Sequence, residues 1–244
     1  MAPDERNKWL DWVPITSIPL KRLGPDESPI EFASGCLVDY QGRRFILTVA
    51  HAVGLGSSDW VIELGNDEER GAEFYRPACF LYLGEMKRGT SEIAEVDYTW
   101  AEVPTNLEST FQLLTPFGPI SGKRRRHVFD LATIGIPDAN ELYAFSGEIH
   151  PEIHASIGLV TEPALYPGLR YIKSDGPFYQ FRLPVLHPGH DSFRGCSGAP
   201  IVDTNRRLVA IVSNGDIPEN IVCGIALSRY RFALDFYCNQ IRPT

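Results

Sequence analysis

Three side chains in this 244-residue chain have the types and surroundings that acyl-transfer chemistry needs: Ser197, His51 and Asp97. Ser197 stands in the run Asp191-Ser192-Phe193-Arg194-Gly195-Cys196-Ser197-Gly198-Ala199-Pro200, bracketed by two glycines and closed by a proline. Glycine admits tight or left-handed backbone that a side chain would block. Such a turn can expose the Ser197 oxygen while the N–H groups of Gly195 and Ser197 converge on one point, the layout of an oxyanion hole. A serine hydroxyl alone is a weak nucleophile and requires a base, with a third group to orient that base. His51 ends the apolar run Phe45-Ile46-Leu47-Thr48-Val49-Ala50, and Asp97 lies in Val96-Asp97-Tyr98-Thr99-Trp100-Ala101. The order His, Asp, Ser is one of the convergent orders in which such a constellation occurs.

Each residue also has a plain structural use. Ser197 suits an ordinary turn, His51 a packed strand end, and Asp97 a turn cap or a solvated strand edge. The three together, in order and suitably spaced, are what point to nucleophile, base and orienting acid.

The motifs that carry these residues resemble those of the trypsin-like, chymotrypsin-fold serine proteases. Thr48-Val49-Ala50-His51 is similar to that family's Thr-Ala-Ala-His, and Gly195-Cys196-Ser197-Gly198-Ala199-Pro200 to its Gly-Asp-Ser-Gly-Gly-Pro. Ala210-Ile211-Val212-Ser213-Asn214-Gly215 resembles the strand that holds the substrate backbone. The likeness runs from about residue 33 to about residue 240. It implies an all-β fold of two packed six-stranded antiparallel barrels with a C-terminal helix, and a serine endopeptidase without cofactor or metal. Cys196 stands where the family has an aspartate that pairs with a freshly cut N-terminus, and the usual activation sequence is lacking. The chain therefore resembles the bacterial and intracellular branch. Cys196 is the alternative nucleophile, but a glycine directly follows Ser197 in the family register, which favours serine.

Asp191 lies six residues before Ser197, the position at which relatives that cleave after arginine or lysine carry the acid of their specificity pocket. By the same resemblance Ser192, Ser213, Gly215 and Gly224 belong to substrate binding, and a buried carboxylate would pair strongly with a guanidinium. The competing placement is a solvated loop, since Phe193 and Arg194 replace the residues usual there. Three functions follow: an endopeptidase cutting a specific intracellular protein after Arg or Lys, an inactive module of the same fold acting in protein binding, and an esterase-like acyl hydrolase. The resemblance adds, by analogy, a role in defence or signalling with an activator or operon partner.

Composition narrows the classes further. A net charge of −8 argues against nucleic-acid binding, which needs cationic surface. No apolar run approaches the roughly 18–20 residues of a membrane span. The N-terminal Met1-Ala2-Pro3-Asp4-Glu5-Arg6-Asn7-Lys8 opens no signal-like segment. Cys36, Cys79, Cys196, Cys223 and Cys238 are odd in number and show no paired spacing, which reads as reduced cytoplasmic thiols. A hydrophobic share of 43% with 19 prolines and 21 glycines fits one soluble, turn-rich β domain.

The elements that must position the site follow from alternation and turn residues. Gly35–Tyr40 and Arg43–Val49 around Gln41-Gly42 read as a hairpin that delivers His51. Further strands are expected at 60–64, 73–83, 92–103, 129–136, 141–146, 153–161, 169–173, 178–183, 199–202, 208–212 and 220–227. Tyr230, Phe232, Ala233, Phe236 and Tyr237 recur at helical spacing after Ser228. The expected layout is an N-terminal barrel over about 25–110, a C-terminal barrel over about 125–227 and a helix over about 228–241. Lys123-Arg124-Arg125-Arg126 reads as a solvated basic loop and, more sharply, as a self-cleavage site. His187-Pro188-Gly189-His190 reads as a loop shaping the pocket entrance rather than a metal pair.

Overall fold

The computed structural model describes residues 2–54, 59–67, 71–87, 89–115, 118–119, 121–154, 158–187, 189–190 and 193–240. Helix α1 (Pro3–Trp12) and a 3-10 turn (Val13–Thr16) lead into β1 (Ile18–Leu23), β2 (Pro29–Tyr40), β3 (Arg43–Thr48) and the short helix α2 (Ala50–Val53). Strands β4 (Trp60–Asp67), β5 (Gly71–Tyr75), β6 (Leu81–Met86) and β7 (Ile93–Val103) complete the N-terminal half. The crossing between halves contains β8 (Thr110–Phe111), β9 (Leu114–Thr115), β10 (Gly118–Pro119), β11 (Arg124–Arg125) and β12 (Val128–Asp130). The second half consists of β13 (Tyr143–His154), β14 (Gly158–Asp175), β15 (Phe178–Arg182), β16 (Pro200–Asp203), β17 (Leu208–Asp216) and β18 (Ile221–Ala226), followed by α3 (Leu227–Gln240).

The second half closes as a six-stranded barrel in the order β13-β14-β15-β18-β17-β16. Among the described residues the first half does not close. Its strands run β5-β4-β1-β2-β3-β7-β6, with β12 added parallel to β2. The architecture is all-β with a terminal helix, and one of the two expected barrels is seen shut.

Strand alternation explains how the halves stick together. Successive side chains of a strand point to opposite faces. Cys36, Val38, Phe45 and Leu47 therefore enter one apolar cluster, while Leu37 and Ile46 enter another. The first cluster lies between the halves, because it also holds Val202, Leu208 and Ile211 of the barrel and Tyr230 and Leu234 of α3. Trp9, Trp12 and Val13 are part of it too, and the Trp9 indole N–H donates to the Asp203 carbonyl at 2.9 Å. Burying side chains of this size contributes roughly 1.5–3 kcal/mol each. A third cluster, with Phe145, Phe181, Ile201 and Val209, fills the closed barrel.

Local chemistry accounts for the differences from the sequence reading. The hairpin turn is as expected: Gln41 and Gly42 both take positive φ, 49° and 76°, which suits the twist of the flanking strands. The strand expected at 73–83 is interrupted between β5 and β6, around Pro77, which has no N–H to give a ladder. The strand expected at 129–136 ends at Asp130, whose carboxylate accepts from the Ala132 N–H at 2.9 Å and starts a 3-10 turn. The basic run is exposed at Lys123, Arg124 and Arg125, as expected of a solvated segment, but it is not a plain loop. Arg124 and Arg125 pair with β8, and Arg126 is 7% exposed, with contacts to the Thr110 and Ser17 carbonyls and to Glu148. Helix α1 and strand β1 carry no strong sequence signal. Among the described residues no helix is long and apolar enough to cross a membrane.

Candidate active site

His51 sits on α2, directly after β3, where the extended Val49 turns the chain into a single helical turn. Asp97 sits on β7 at an irregularity: Tyr82 pairs with Thr99 but Leu83 pairs with Val96, so 97 and 98 bulge out of the ladder. Bulges re-aim side chains. Here the Asp97 carboxylate reaches the His51 ring, with Nδ1 2.9 Å from both Oδ1 and Oδ2, and it also accepts the His51 backbone N–H at 2.9 Å. A second bulge does the same across the cleft. Val212 pairs with Gly224 and Asn214 with Cys223, leaving Ser213 between them, and its hydroxyl donates to Asp97 Oδ2 at 2.5 Å. Burial alone would push the Asp97 carboxyl up. The hydrogen bonds from His51 and Ser213 outweigh it and hold the group below the usual carboxylate value. A carboxylate on Nδ1 fixes the ring so that Nε2 faces Ser197 Oγ, 3.1 Å away.

The loop that carries Ser197 is shaped by close backbone approach. Gly195 has φ 99°, and a Cβ there would lie 2.2 Å from the Glu148 carbonyl oxygen. Gly198 has φ 89°, and a Cβ there would lie 2.0 Å from the Ser34 carbonyl oxygen and 2.2 Å from Thr48 Oγ1. Both positions therefore require glycine. Ser34, on β2, fastens the loop to the first half: its hydroxyl donates to the Gly195 carbonyl at 2.7 Å and its N–H to the Ser197 carbonyl at 2.8 Å. Thr48 Oγ1 in turn donates to the Ser34 carbonyl at 2.7 Å. The Gly198 N–H donates to the Val212 carbonyl at 2.7 Å, tying the loop to β17. Among the described residues no carbonyl accepts from the N–H of Gly195 or Ser197. Sequence reasoning missed Ser34, which carries no motif signal. It placed Ser213 in substrate binding; Ser213 does line the cleft beside Ser197, and its hydroxyl in addition goes to Asp97.

Cys196 is fully buried beside Gly147, and burial pushes its thiol up to about 12. A thiol held protonated and out of solvent is a poor nucleophile, so the neighbouring hydroxyl has the better position.

Comparison with known proteins was made on this geometry. No family model matches the chain, and no curated protein matches its sequence. Solved structures do match. The serine endoprotease from Yersinia pestis aligns with a TM-score of 0.53 at 13% identity, over 96% of this chain and 67% of that one. A protease from M. tuberculosis, in its active form, aligns at 0.53 and 14% over 96% and 86%. Human heparin binding protein aligns at 0.58 and 13% over 95% and 94%. The fold is chymotrypsin-like. In a chymotrypsin-like fold built from this sequence, the three residues singled out by motif meet where the two halves face each other.

A cleft of about 450 Å³ opens beside Ser197. Val212 and Val222, with Phe193 and His187, form much of its wall. Gly215 lines it, and His187 Nε2 would lie 2.6 Å from a Cβ added there. Gly224 does not line it; that glycine packs against Ile201 and Ala210 inside the barrel. Asp191 and Ser192 lie outside the described residues.

Proposed function

We propose that this protein is a serine endopeptidase in which Ser197, His51 and Asp97 act as nucleophile, base and orienting acid. The supporting observation is the 3.1 Å approach of His51 Nε2 to Ser197 Oγ, with Asp97 on the opposite ring nitrogen. The Ser197 oxygen attacks a peptide carbonyl, and His51 Nε2 takes the hydroxyl proton. The same proton passes to the leaving amine as the C–N bond breaks, and water then releases the acyl group by the reverse route. Asp97 keeps the proton on His51 Nδ1 and stabilises the imidazolium. The N–H groups of Gly195 and Ser197 are the candidates to hold the tetrahedral oxygen.

The substrate on this reading is a polypeptide of a specific partner protein. All five cysteines are free thiols, which supports a reducing, cytoplasmic setting. The expectation of cleavage after Arg or Lys depends on Asp191. The described lining of the cleft adds no carboxylate to support it.

The test is Ser197→Ala. Hydrolysis of casein or a peptide pool is expected to fall by about four or more orders of magnitude in kcat, as when a nucleophile is removed elsewhere. A fluorophosphonate probe is expected to label the wild type and not the variant. Labelling with ester turnover and no peptide turnover would select the acyl hydrolase, and no labelling at all would select the inactive binding module.

A further inference from the structure

Strand β13 touches two distant parts of the molecule at one point. Its Glu148 carbonyl presses on Gly195, where an added Cβ would lie 2.2 Å from the oxygen. Its Gly147 lies against Cys196, whose Sγ would be 2.7 Å from a Cβ added at 147. The 195–196 segment thus rests on residues 147 and 148. Strand pairing is thin at this point. The cross-strand partner of Glu148 is Pro163, which has no N–H to give, and the register with β14 breaks just beyond, between Ile149 and Glu152. Among the described residues β13 meets β16 only at Tyr143 and Ala144. The Glu148 side chain supplies a different anchor: its carboxylate accepts from Arg126 Nη2 at 3.2 Å. Arg126 belongs to the segment that joins the halves, and it is itself tied to the Ser109, Thr110 and Ser17 carbonyls. Burial pushes its guanidinium toward the neutral form, and the Glu148 charge is the foremost force against that, followed by Glu63. A buried charge stripped of its partner is strongly destabilising, so Arg126 and Glu148 hold each other in place.

We propose that Glu148, held by Arg126, is a positioning residue for the 195–198 loop and keeps the Gly195 N–H aimed into the cleft. This rests on the endopeptidase reading and deepens it. The loop's other ties leave that N–H free to turn. The Ser34 hydroxyl fixes the Gly195 carbonyl, which belongs to the peptide after Gly195, and the bonds to Ser34 and Val212 hold Ser197 and Gly198. The N–H belongs to the peptide before Gly195, and its direction follows from the φ of 99° that the Glu148 carbonyl faces. If that carbonyl withdraws, Gly195 has room to relax and the N–H swings away. Cys196, buried with its thiol pushed up to about 12, brings no charge with which the loop could be held instead.

The test sets Glu148→Gln beside Glu102→Gln. Gln keeps the size and an acceptor oxygen but drops the charge that Arg126 faces. Glu102 pairs with Arg43 and Tyr237 to join β7 to α3, so its variant controls for the loss of an ion pair as such. Melting curves confirm that each variant is folded, and Glu148→Asp, which keeps the charge one carbon short, replaces Gln if that variant does not fold. The first readout is amide hydrogen exchange. The N–H groups of Cys196, Gly198 and Ala199 donate to the Phe193, Val212 and Cys196 carbonyls and report the loop. Relative to β17 and β18, their exchange is expected to quicken about tenfold or more in Glu148→Gln and to keep the wild-type rate in Glu102→Gln. The second readout is hydrolysis of the peptide pool. In Glu148→Gln, kcat per folded molecule should fall about tenfold or more with KM within about twofold, because the donor serves charge that develops only in the transition state. Unchanged exchange at 196–199 overturns the proposal, as does equal quickening in Glu102→Gln, an unchanged kcat, or a loss carried by KM. Exchange is read without substrate and so decides the role of Glu148 even in a protein that cleaves nothing. A wild type that neither labels with fluorophosphonate nor cleaves removes the endopeptidase reading, a failure the exchange measurement tells apart.

Discussion

The two sides of the site are held by different means. On the side of the proposed base, His51 and Asp97 are placed by side-chain hydrogen bonds, with two bulges supplying the aim. The His51 side chain is still 49% exposed. On the side of the proposed nucleophile, the 195–198 loop is placed by backbone pressed on backbone, at two glycines with no room for a methyl group. A hydrogen-bonded arrangement fails gradually as single bonds are lost. A close-packed backbone fails as a unit, because protein interiors are dense and transmit strain. The comparison therefore predicts changes of activity on one side and changes of folding on the other.

Gly198→Ala should produce the largest effect. The alanine must hold φ near 89° while its Cβ collides with the Ser34 carbonyl and Thr48. Strained backbone plus overpacking amounts to about 3 kcal/mol or more. Chemical denaturation should show that loss, together with near-complete loss of peptide hydrolysis. A variant that melts with wild type would show that the seam yields, and the contrast between the two sides would be void.

Ser213→Ala is the matching change on the base side. It removes the 2.5 Å hydrogen bond to Asp97 and leaves the carboxylate with the two His51 donors. A hydrogen bond to a charged group is worth about 1.5–3 kcal/mol, so kcat/KM should fall about tenfold or somewhat more. Ser213 is buried, so the melting temperature should also fall, by a few degrees, the cost of one hydrogen bond in a strand pairing that otherwise stays intact. With that donor lost, the Asp97 carboxyl moves up toward its usual value. A large drop in stability with unchanged kcat/KM would reverse the assignment of roles.

How much of this was legible in sequence divides along the same line. Ser197 and His51 stood out because their motifs are local, a few adjacent residues making the turn that shows the residue, whereas Asp97 was singled out by its order and spacing relative to them. The Gln41-Gly42 hairpin was readable for the same reason. Ser34 was not, because its role exists only where β2 meets a loop more than a hundred residues later. His187 was visible as part of an entrance loop, but its bond from the Gly189 N–H and its packing on Gly215 exist only in three dimensions. Helix α1 was missed because Trp9, Trp12 and Val13 make only one short stripe at helical spacing in an otherwise charged segment, and their burial comes from partners far away in sequence. Within the basic run Arg126 alone departs from the solvated reading, because composition cannot tell that it turns inward to meet the Ser17 and Thr110 carbonyls.

The smallest predicted effect lies away from the site, where the same two halves are joined by aromatic packing. His127 sits between Trp12 and Phe129, with ring centroids at 5.0 and 4.7 Å. Burial, and then the nearby Arg206 charge, holds its ring below the usual value of 6.5. In the unfolded chain the imidazole takes a proton as pH falls through about 6.5, while in the folded protein it resists until lower pH. The unfolded state thus binds more protons across that interval, and stability must fall as pH falls through it. His187 is shifted in the same direction and adds to the slope. Phe in place of His127 preserves the edge-on ring contacts and removes its share of the proton uptake. Melting temperature against pH between about 6.5 and 5 should therefore be flatter in His127→Phe than in wild type, with little difference at pH 8. If the two curves stay parallel through that interval, the join between the halves is insensitive to charge at His127. The packing there would then resemble the nucleophile side, held by shape alone.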